Sequence, residues 1–363
     1  MKNFTMILAF MLFATISTKA TIWTVSNSGG DNQNPNFTDL QTAIDSASAG
    51  DTLYVSGSPI EYKSNNGSYN NSMYVRKQLT IIGAGYNIES SSYLISKIYR
   101  IYFTSELDTL GNIVSSGANS IIMGFKISRL EIEKGVDNVL LSRNKIDDLY
   151  IVGDYTDYCS GNIIINNLIY KITATSYCSN NTFSNNIISN SGNNSKVIDN
   201  SLISNNLFIS VNSGTQFRAI NFTNCTLKNN ILYLSNPRNM YSCVVKNNLL
   251  YCSGSDSSFN ISSTYNNIEG QDPLFTDITE DSTQFDYVND YHLLASSPGK
   301  NAGTDGTDVG IYGGSYPFPS GGPSPYSTSP LPTIPQIIKL ELSNYIVPKD
   351  SVIHINLKAR ISN

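Results

Sequence analysis

Acids and bases crowd onto one stretch of this chain. Arg129, Glu131 and Glu133 alternate along a single extended run, so all three should leave one face while Leu130 and Ile132 leave the other. Arg143, Lys145, Asp147, Asp148, Asp154 and Asp157 follow closely. Groups at that density can bind a cation or shift one another's proton affinity, which is what acid–base chemistry requires. They can equally form a solvated face whose exposed ion pairs contribute little. A second feature is aromatic. Tyr150, Tyr170, Tyr233 and Tyr251 lie at or near one position of a repeated pattern, where flat rings with a hydroxyl tip could meet a sugar face. With 23 tyrosines in the chain, chance clustering explains the column as well. No metal site is expected: His292 and His354 are far apart and the cysteines are scattered. Asp305 and Asp308 read as turn residues before Val309-Gly310 rather than as cation ligands.

Composition narrows the field. Only 14% of the 363 residues are charged, about half the usual share, while 44 are Asn and 50 are Ser. Hydrophobic residues still make up 40%, enough for a large core. A net charge of −5 with no basic cluster argues against a nucleic-acid partner. Residues 1–20 read as an export signal: Lys2, the apolar run from Met6 to Ile16, then Thr18-Lys19-Ala20 before a cleavage point. The run is short for a membrane span, and no transmembrane segment is expected elsewhere. The absence of a cysteine after the cleavage point speaks against a lipid anchor. Secretion, the periplasm or the cell surface is the expected location.

A repeat must position the chemistry. Asn-Asn-apolar recurs as Asn166-Asn167-Leu168, Asn185-Asn186-Ile187, Asn205-Asn206-Leu207, Asn229-Asn230-Ile231, Asn247-Asn248-Leu249 and Asn266-Asn267-Ile268. Degenerate forms precede it, with Ile127 and Ile146 taken as the apolar markers. Intervals of 18 to 24 residues fall in the solenoid range. Short β-branched runs without a helical period select strands. Asn tolerates the left-handed backbone region, so each Asn-Asn should mark a tight bend, and stacked coils would let the amides bond to one another. Counting on from the marker, the first and third residues should face inward and the second outward. Cys159 and Cys178, and then Cys225 and Cys243, keep a common distance to the next Asn-Asn step. Export permits disulfides, but stacked buried thiols fit the odd fifth cysteine better.

Both ends of a solenoid need covering. Phe37, Leu40, Ile44 and Ala47 recur at helical spacing, with Asn36 as N-cap and Gly50 beyond the C-terminus, so a capping helix is expected there. Strands are expected at 51–56, 79–82, 97–103 and 121–127, and a polar excursion at 64–72. The run from Phe37 to Val55, followed by Leu79-Thr80-Ile81-Ile82-Gly83, resembles the opening of right-handed parallel β-helix proteins of the pectate-lyase-like group. Asp272-Pro273-Leu274-Phe275, the run Asp290 to Gly303, and Asp308 to Gly313 are similar to the closing segment of many secreted bacterial members.

The resemblance implies an all-β parallel β-helix solenoid and an extracellular glycan as partner. The expected organisation is a signal peptide (1–20), an N-terminal cap (21–56), coils (57–270), a closing segment (271–316), a Pro/Gly/Ser-rich linker (317–335) and a two-strand tail (336–363). Enzymes of that group eliminate or hydrolyse polysaccharides. Elimination needs a Lys or Arg base, often with Ca²⁺ on the uronate carboxylate; hydrolysis needs paired carboxylates. Neither Gly-His-Gly nor Arg-x-Pro-x-x-Arg occurs. The expectation is therefore a non-catalytic glycan-binding, adhesive or structural protein with no cofactor. The alternative is a polysaccharide lyase, with Ca²⁺, or a glycoside hydrolase, using the Arg129-to-Asp154 patch. Nothing in the sequence sets an oligomeric state.

Overall fold

The structure is a computed structural model describing residues 20–28, 35–64, 71–86, 94–175, 177–190, 196–209, 220–234, 240–251, 264–278, 289–318, 335–342 and 355–361. The signal peptide but for Ala20, most of the polar excursion and of the linker, the tail's turn and Cys252 lie outside these residues. Among them, strands dominate and there is one helix, Leu40–Ser46. The coils stack as three parallel sheets of eleven, ten and five strands, a parallel β-helix. The eleven-stranded sheet begins at Ile22–Val25, pairs it with Thr52–Val55 and ends at Thr264–Tyr265. The ten-stranded sheet runs from Ser72–Val75 through Lys97–Phe103, Lys126–Ile132, Lys145–Ile151 and Leu168–Ala174 to Ile268–Glu269. The five-stranded sheet runs from Cys159–Ser160 to Met240–Tyr241.

The two residues of each Asn-Asn step divide the work of the corner. The first turns the chain: Asn166, Asn185, Asn205, Asn229, Asn247 and Asn266 all have φ between 51° and 58°. That region costs Asn less than most side chains. The second points into the coil and bonds to its successor. From Asn144 through Asn167, Asn186, Asn206, Asn230 and Asn248 to Asn267, each backbone N–H donates to the next Oδ1 at 2.9–3.0 Å. Each Nδ2 also donates to that oxygen. The ladder satisfies buried amides that would otherwise each cost about 1–3 kcal/mol.

Register corrects three expectations. Lys126 and Lys145 stand level with Leu168, not Ile127 and Ile146. The early corners lack the first Asn but keep its backbone, with Gly124 at φ 80° and Arg143 at φ 54°. The run expected as one strand over 121–127 is consequently two, Ile121–Met123 and Lys126–Ile132, in different sheets. The third residue after the marker faces inward at Leu130, yet outward at Lys171, which pairs with Asp148.

A second corner carries a similar device. Asn119, Asn138, Gly161, Asn180, Asn200, Asn224 and Ser242 all have positive φ. The residues after several of them form a shorter ladder, Asn162 to Asn181 at 2.9 Å and Asn181 to Ser201 at 3.0 Å. Ser201 N–H then donates to Cys225 Sγ at 3.4 Å. Cys159 and Cys178 are direct register partners in the five-stranded sheet. All four described cysteines are buried free thiols.

Two hydrophobic clusters follow. The interior holds Ile127, Leu130, Ile146, Leu149, Ile169, Ile188, Phe208, Leu232 and Leu250, stacked coil on coil. A second lies outside the ten-stranded sheet, where Leu168, Ile187, Leu207, Ile231 and Leu249 meet Leu293, Val309 and Ile311. Residues 294–318 form a clasp laid back over the coils. Asn247 Nδ2 donates to Ala302 O, Asn229 bonds Thr304 in both directions, and Asn185 Nδ2 reaches Ile311 O and Gly313 O at 2.8 and 2.7 Å. At the other end the helix covers the first coils through Leu40, Ala43 and Ile44. Its N-cap is Asp39, whose carboxylate accepts Thr42 N–H at 2.7 Å. Asn36 instead accepts from Thr24, tying down the first strand.

Candidate functional site

The outer face of the early ten-stranded sheet gathers most of the charged residues singled out above. Parallel in-register pairing places like positions about 4.8 Å apart on successive coils. One column is Lys97, Lys126 and Lys145. The next is Arg100, Arg129, Asp148 and Lys171. A third is Tyr74, Tyr102, Glu131 and Tyr150. Leu130 and Ile132 are fully buried behind them, so the alternation read in this strand holds.

Arg129 is the hub. Its guanidinium lies 3.9 Å from the Tyr150 ring centroid and 6.0 Å from that of Tyr102, and donates to Glu131 Oε2 at 2.7 Å. Tyr102 stacks on Tyr74 at 5.1 Å, and Arg76 and Arg100 each lie over a tyrosine. Burial works most strongly against the Arg129 charge, but the hydrogen bond and the charge of Glu131, with Tyr102 and Tyr150, together outweigh it and raise its proton affinity. Arg129 Nε is shielded from solvent and has no acceptor among the described residues. Lys171 lies 4.0 Å from Asp148. Burial pushes the Asp147 carboxyl above its ordinary value, and the attraction of Lys126 and Lys145 only partly opposes it. Counting Arg76 and Glu133, each just past its strand, this face carries seven cationic against four acidic side chains, in a chain of net charge −5.

Several predicted residues lie elsewhere. Arg143 occupies the corner between sheets, where burial depresses its proton affinity. Asp154 belongs to its own loop, accepting Lys134 Nζ at 2.8 Å and the N–H groups of Thr156 and Asp157, which hold it far below the usual carboxylate range. Tyr170, Tyr233 and Tyr251 share one register position, with Ser189 and Ile209 between Tyr170 and Tyr233, and Tyr150 stands in another column; they do not present one surface. Tyr170 is 47% exposed on the strand that carries Lys171. Tyr233 is 7% exposed, stacks on Tyr251 at 5.6 Å and meets Phe275 edge-on. Its ring face is therefore occupied by protein.

Sequence reasoning missed Lys97, Arg100, Tyr74 and Tyr102, whose strands precede the Asn-Asn array. The Lys-Ile-x-Arg spacing shared by Lys97-Ile98-Tyr99-Arg100 and Lys126-Ile127-Ser128-Arg129 would have aligned them. Among the described residues no group of His, Cys, Asp and Glu is disposed to hold a metal ion, and no helix is long and apolar enough to cross a membrane. A scan against protein-family models finds no match, and a search of curated proteins finds none either.

Proposed function

We propose that this is an exported, pectate-lyase-like β-helix protein that binds an extracellular polysaccharide without cleaving it, as an adhesive or structural element at the cell surface. The observation that carries this reading is Arg129 set between the Tyr102 and Tyr150 rings on a face with excess positive charge. Aromatic faces suit the apolar faces of sugar rings, and the cations favour an acidic chain. Columns that repeat on every coil suit a ligand that itself repeats. The parallel β-helix fits a carbohydrate-related role, and the leader-like residues 1–20 support export.

Affinity electrophoresis through gels containing polygalacturonate, alginate or neutral glucans tests it. The acidic gels are expected to retard the protein, with retardation falling as salt rises. Arg129→Ala should weaken binding about tenfold, a loss of roughly 1.4 kcal/mol. Unretarded migration in every gel would overturn the proposal. A cleaving enzyme is the second reading, favoured by Asp147, whose raised proton affinity beside Lys126 and Lys145 is what a general acid needs. New reducing ends or unsaturated products from the same polymers, lost in Asp147→Asn, would install it.

A further inference from the structure

Buried thiols play no part in the charged face, and two of them meet in a way the others do not. Cys225 and Cys243 are 1% and 3% exposed and belong to the interior cluster. Each follows a left-handed residue, Asn224 and Ser242, both at φ 54°. Each also precedes a strand, and the residues after them, Thr226 and Val244, are register partners. Val244 N–H donates to Cys225 O at 2.9 Å. The two cysteines are therefore level on adjacent coils, about 4.8 Å apart at Cα, a separation that a disulfide spans. Both sulfurs face the preceding coil, Cys225 donating to Ile198 O and Cys243 to Phe222 O, each at 3.3 Å. They also engage each other. Their mutual hydrogen bond is the leading influence on both thiols, raising the proton affinity of Cys225 and lowering that of Cys243. Cys159 and Cys178 are register partners too. There Cys178 acts on Cys159 through charge, Cys159 Sγ accepts from Asn162 Nδ2 at 3.3 Å, and Cys178 Sγ donates to Ile151 O at 2.9 Å.

The place of the pair in the fold gives the bond a use. The ladder of the second corner runs from Asn162 through Asn181 to Ser201, then passes to sulfur at Cys225. Cys225 and Cys243 thus take the inward corner position where the polar ladder ends, and a covalent bond there would continue the tie between coils. Cys243 also lies nearest a way in. It follows Met240–Tyr241, the last strand of the five-stranded sheet, and its neighbours Tyr241 and Val244 are 60% and 39% exposed. Opening of that edge strand uncovers Cys243 before Cys225. We propose that Cys225 and Cys243 are an oxidative modification site, which a disulfide-bearing oxidant joins into a bond stapling two neighbouring coils, while Cys159 and Cys178 stay reduced. The Cys243 thiolate attacks the oxidant's disulfide and displaces one thiolate. Cys225 then gives up its proton, attacks Cys243 Sγ in the mixed disulfide and displaces the second. Two protons and two electrons pass to the oxidant, which leaves as two thiols. Exported chains meet such oxidants, so formation of the bond in the cell rests on the export reading, whereas the reactivity of the pair does not.

Full-length protein purified under reductant and then exposed to glutathione disulfide tests the pair independently of export. Alkylation in denaturant is expected to find two fewer free thiols than in the reduced protein. Trypsin cuts after Arg218, Lys228, Arg238 and Lys246, so the linked product joins 219–228 to 239–246, and Cys252 falls on a separate peptide. The oxidised protein should unfold at a higher denaturant midpoint than the reduced one. Cys225→Ser is expected to abolish that shift and Cys159→Ser to keep it, with Cys243→Ala standing in if Cys225→Ser does not fold. An unchanged thiol count after oxidation, or a linked peptide containing Cys159, Cys178 or Cys252, would overturn the proposal. Protein that forms the bond with glutathione disulfide, yet is recovered from its producing cells with both thiols free, would tell against export and leave the assignment of the pair standing.

Discussion

Asp51 shows how a single carboxylate can hold an end of a solenoid closed. It is 3% exposed and accepts from Thr21 N–H at 2.7 Å, Trp23 Nε1 at 2.9 Å and Ser48 N–H at 2.9 Å. Burial alone would raise its pKa, but these three donors, with Lys77 nearby, hold it below the ordinary value. A depressed carboxylate stabilises the fold above its unfolded pKa of about 4 and loses that contribution as pH falls through the folded value. Asp51→Asn should therefore cost roughly 2 kcal/mol at pH 7, with the gap to the parent closing in acid. Trp23 is the only tryptophan in the chain, so its emission during denaturant unfolding reports on this end directly. An equal gap at pH 7 and pH 2 would contradict the assignment. None of this was legible beforehand, because Asp51 reads locally as the start of a strand and its partners lie up to thirty residues away. The alternation around Arg129 was legible, since a strand fixes which side chains share a face. Its pairing with two tyrosines was not, since Tyr102 arrives from the coil before and Tyr150 from the coil after.

At the scale of the element, the two asparagines of one step make opposite predictions. Asn186→Ala removes the acceptor for Asn167 N–H and Nδ2 and the Nδ2 donor to Ile164 O, while Asn206 Oδ1 keeps the backbone N–H of residue 186. Buried groups lose partners on the preceding coil, and a loss of about 3 kcal/mol is expected in chemical denaturation. Asn185→Gly keeps the left-handed corner but releases Ile311 O and Gly313 O, so global stability should fall by only about 1 kcal/mol while the clasp loosens. Limited proteolysis separates the two: faster cleavage within 294–318 belongs to Asn185→Gly. The corner and its ladder could be read from the Asn-Asn spacing because bend and bond fall on adjacent residues of one type. The second corner escaped notice because Asn, Gly and Ser share the bend and Asn, Ser and Cys share the inward position after it.

For the whole molecule, the principal surprise is the second apolar layer. Leu168, Ile187, Leu207, Ile231 and Leu249 mark the repeat in the sequence without revealing their face; they point away from the interior and are buried by the clasp. A residue pattern records that a side chain is covered but not by what, and the cover comes from a segment far along the chain. Gly310 allows the close approach: with φ at 86°, a Cβ there would meet Ile231 Cδ1 at 2.6 Å. Ile311→Asp, at a 2%-exposed site, is expected to detach the clasp at a cost of about 3 kcal/mol, because an unpaired carboxylate cannot stay in that layer. Binding of a hydrophobic dye should rise while the strand signal in circular dichroism and Trp23 emission persist. Unchanged dye binding would mean that the layer remains covered without the clasp.

The clasp also acts as a gauge. It meets the corners of Asn247, Asn229, Asn205 and Asn185 in strict succession, each with its own backbone or hydroxyl partner. A whole coil added or lost upstream of Asn166 would leave those four appointments untouched. The same change between Asn185 and Asn247 would throw every later one out of step. The array is thus free to vary in length where it carries the charged face, and held to a fixed number of turns where it is fastened.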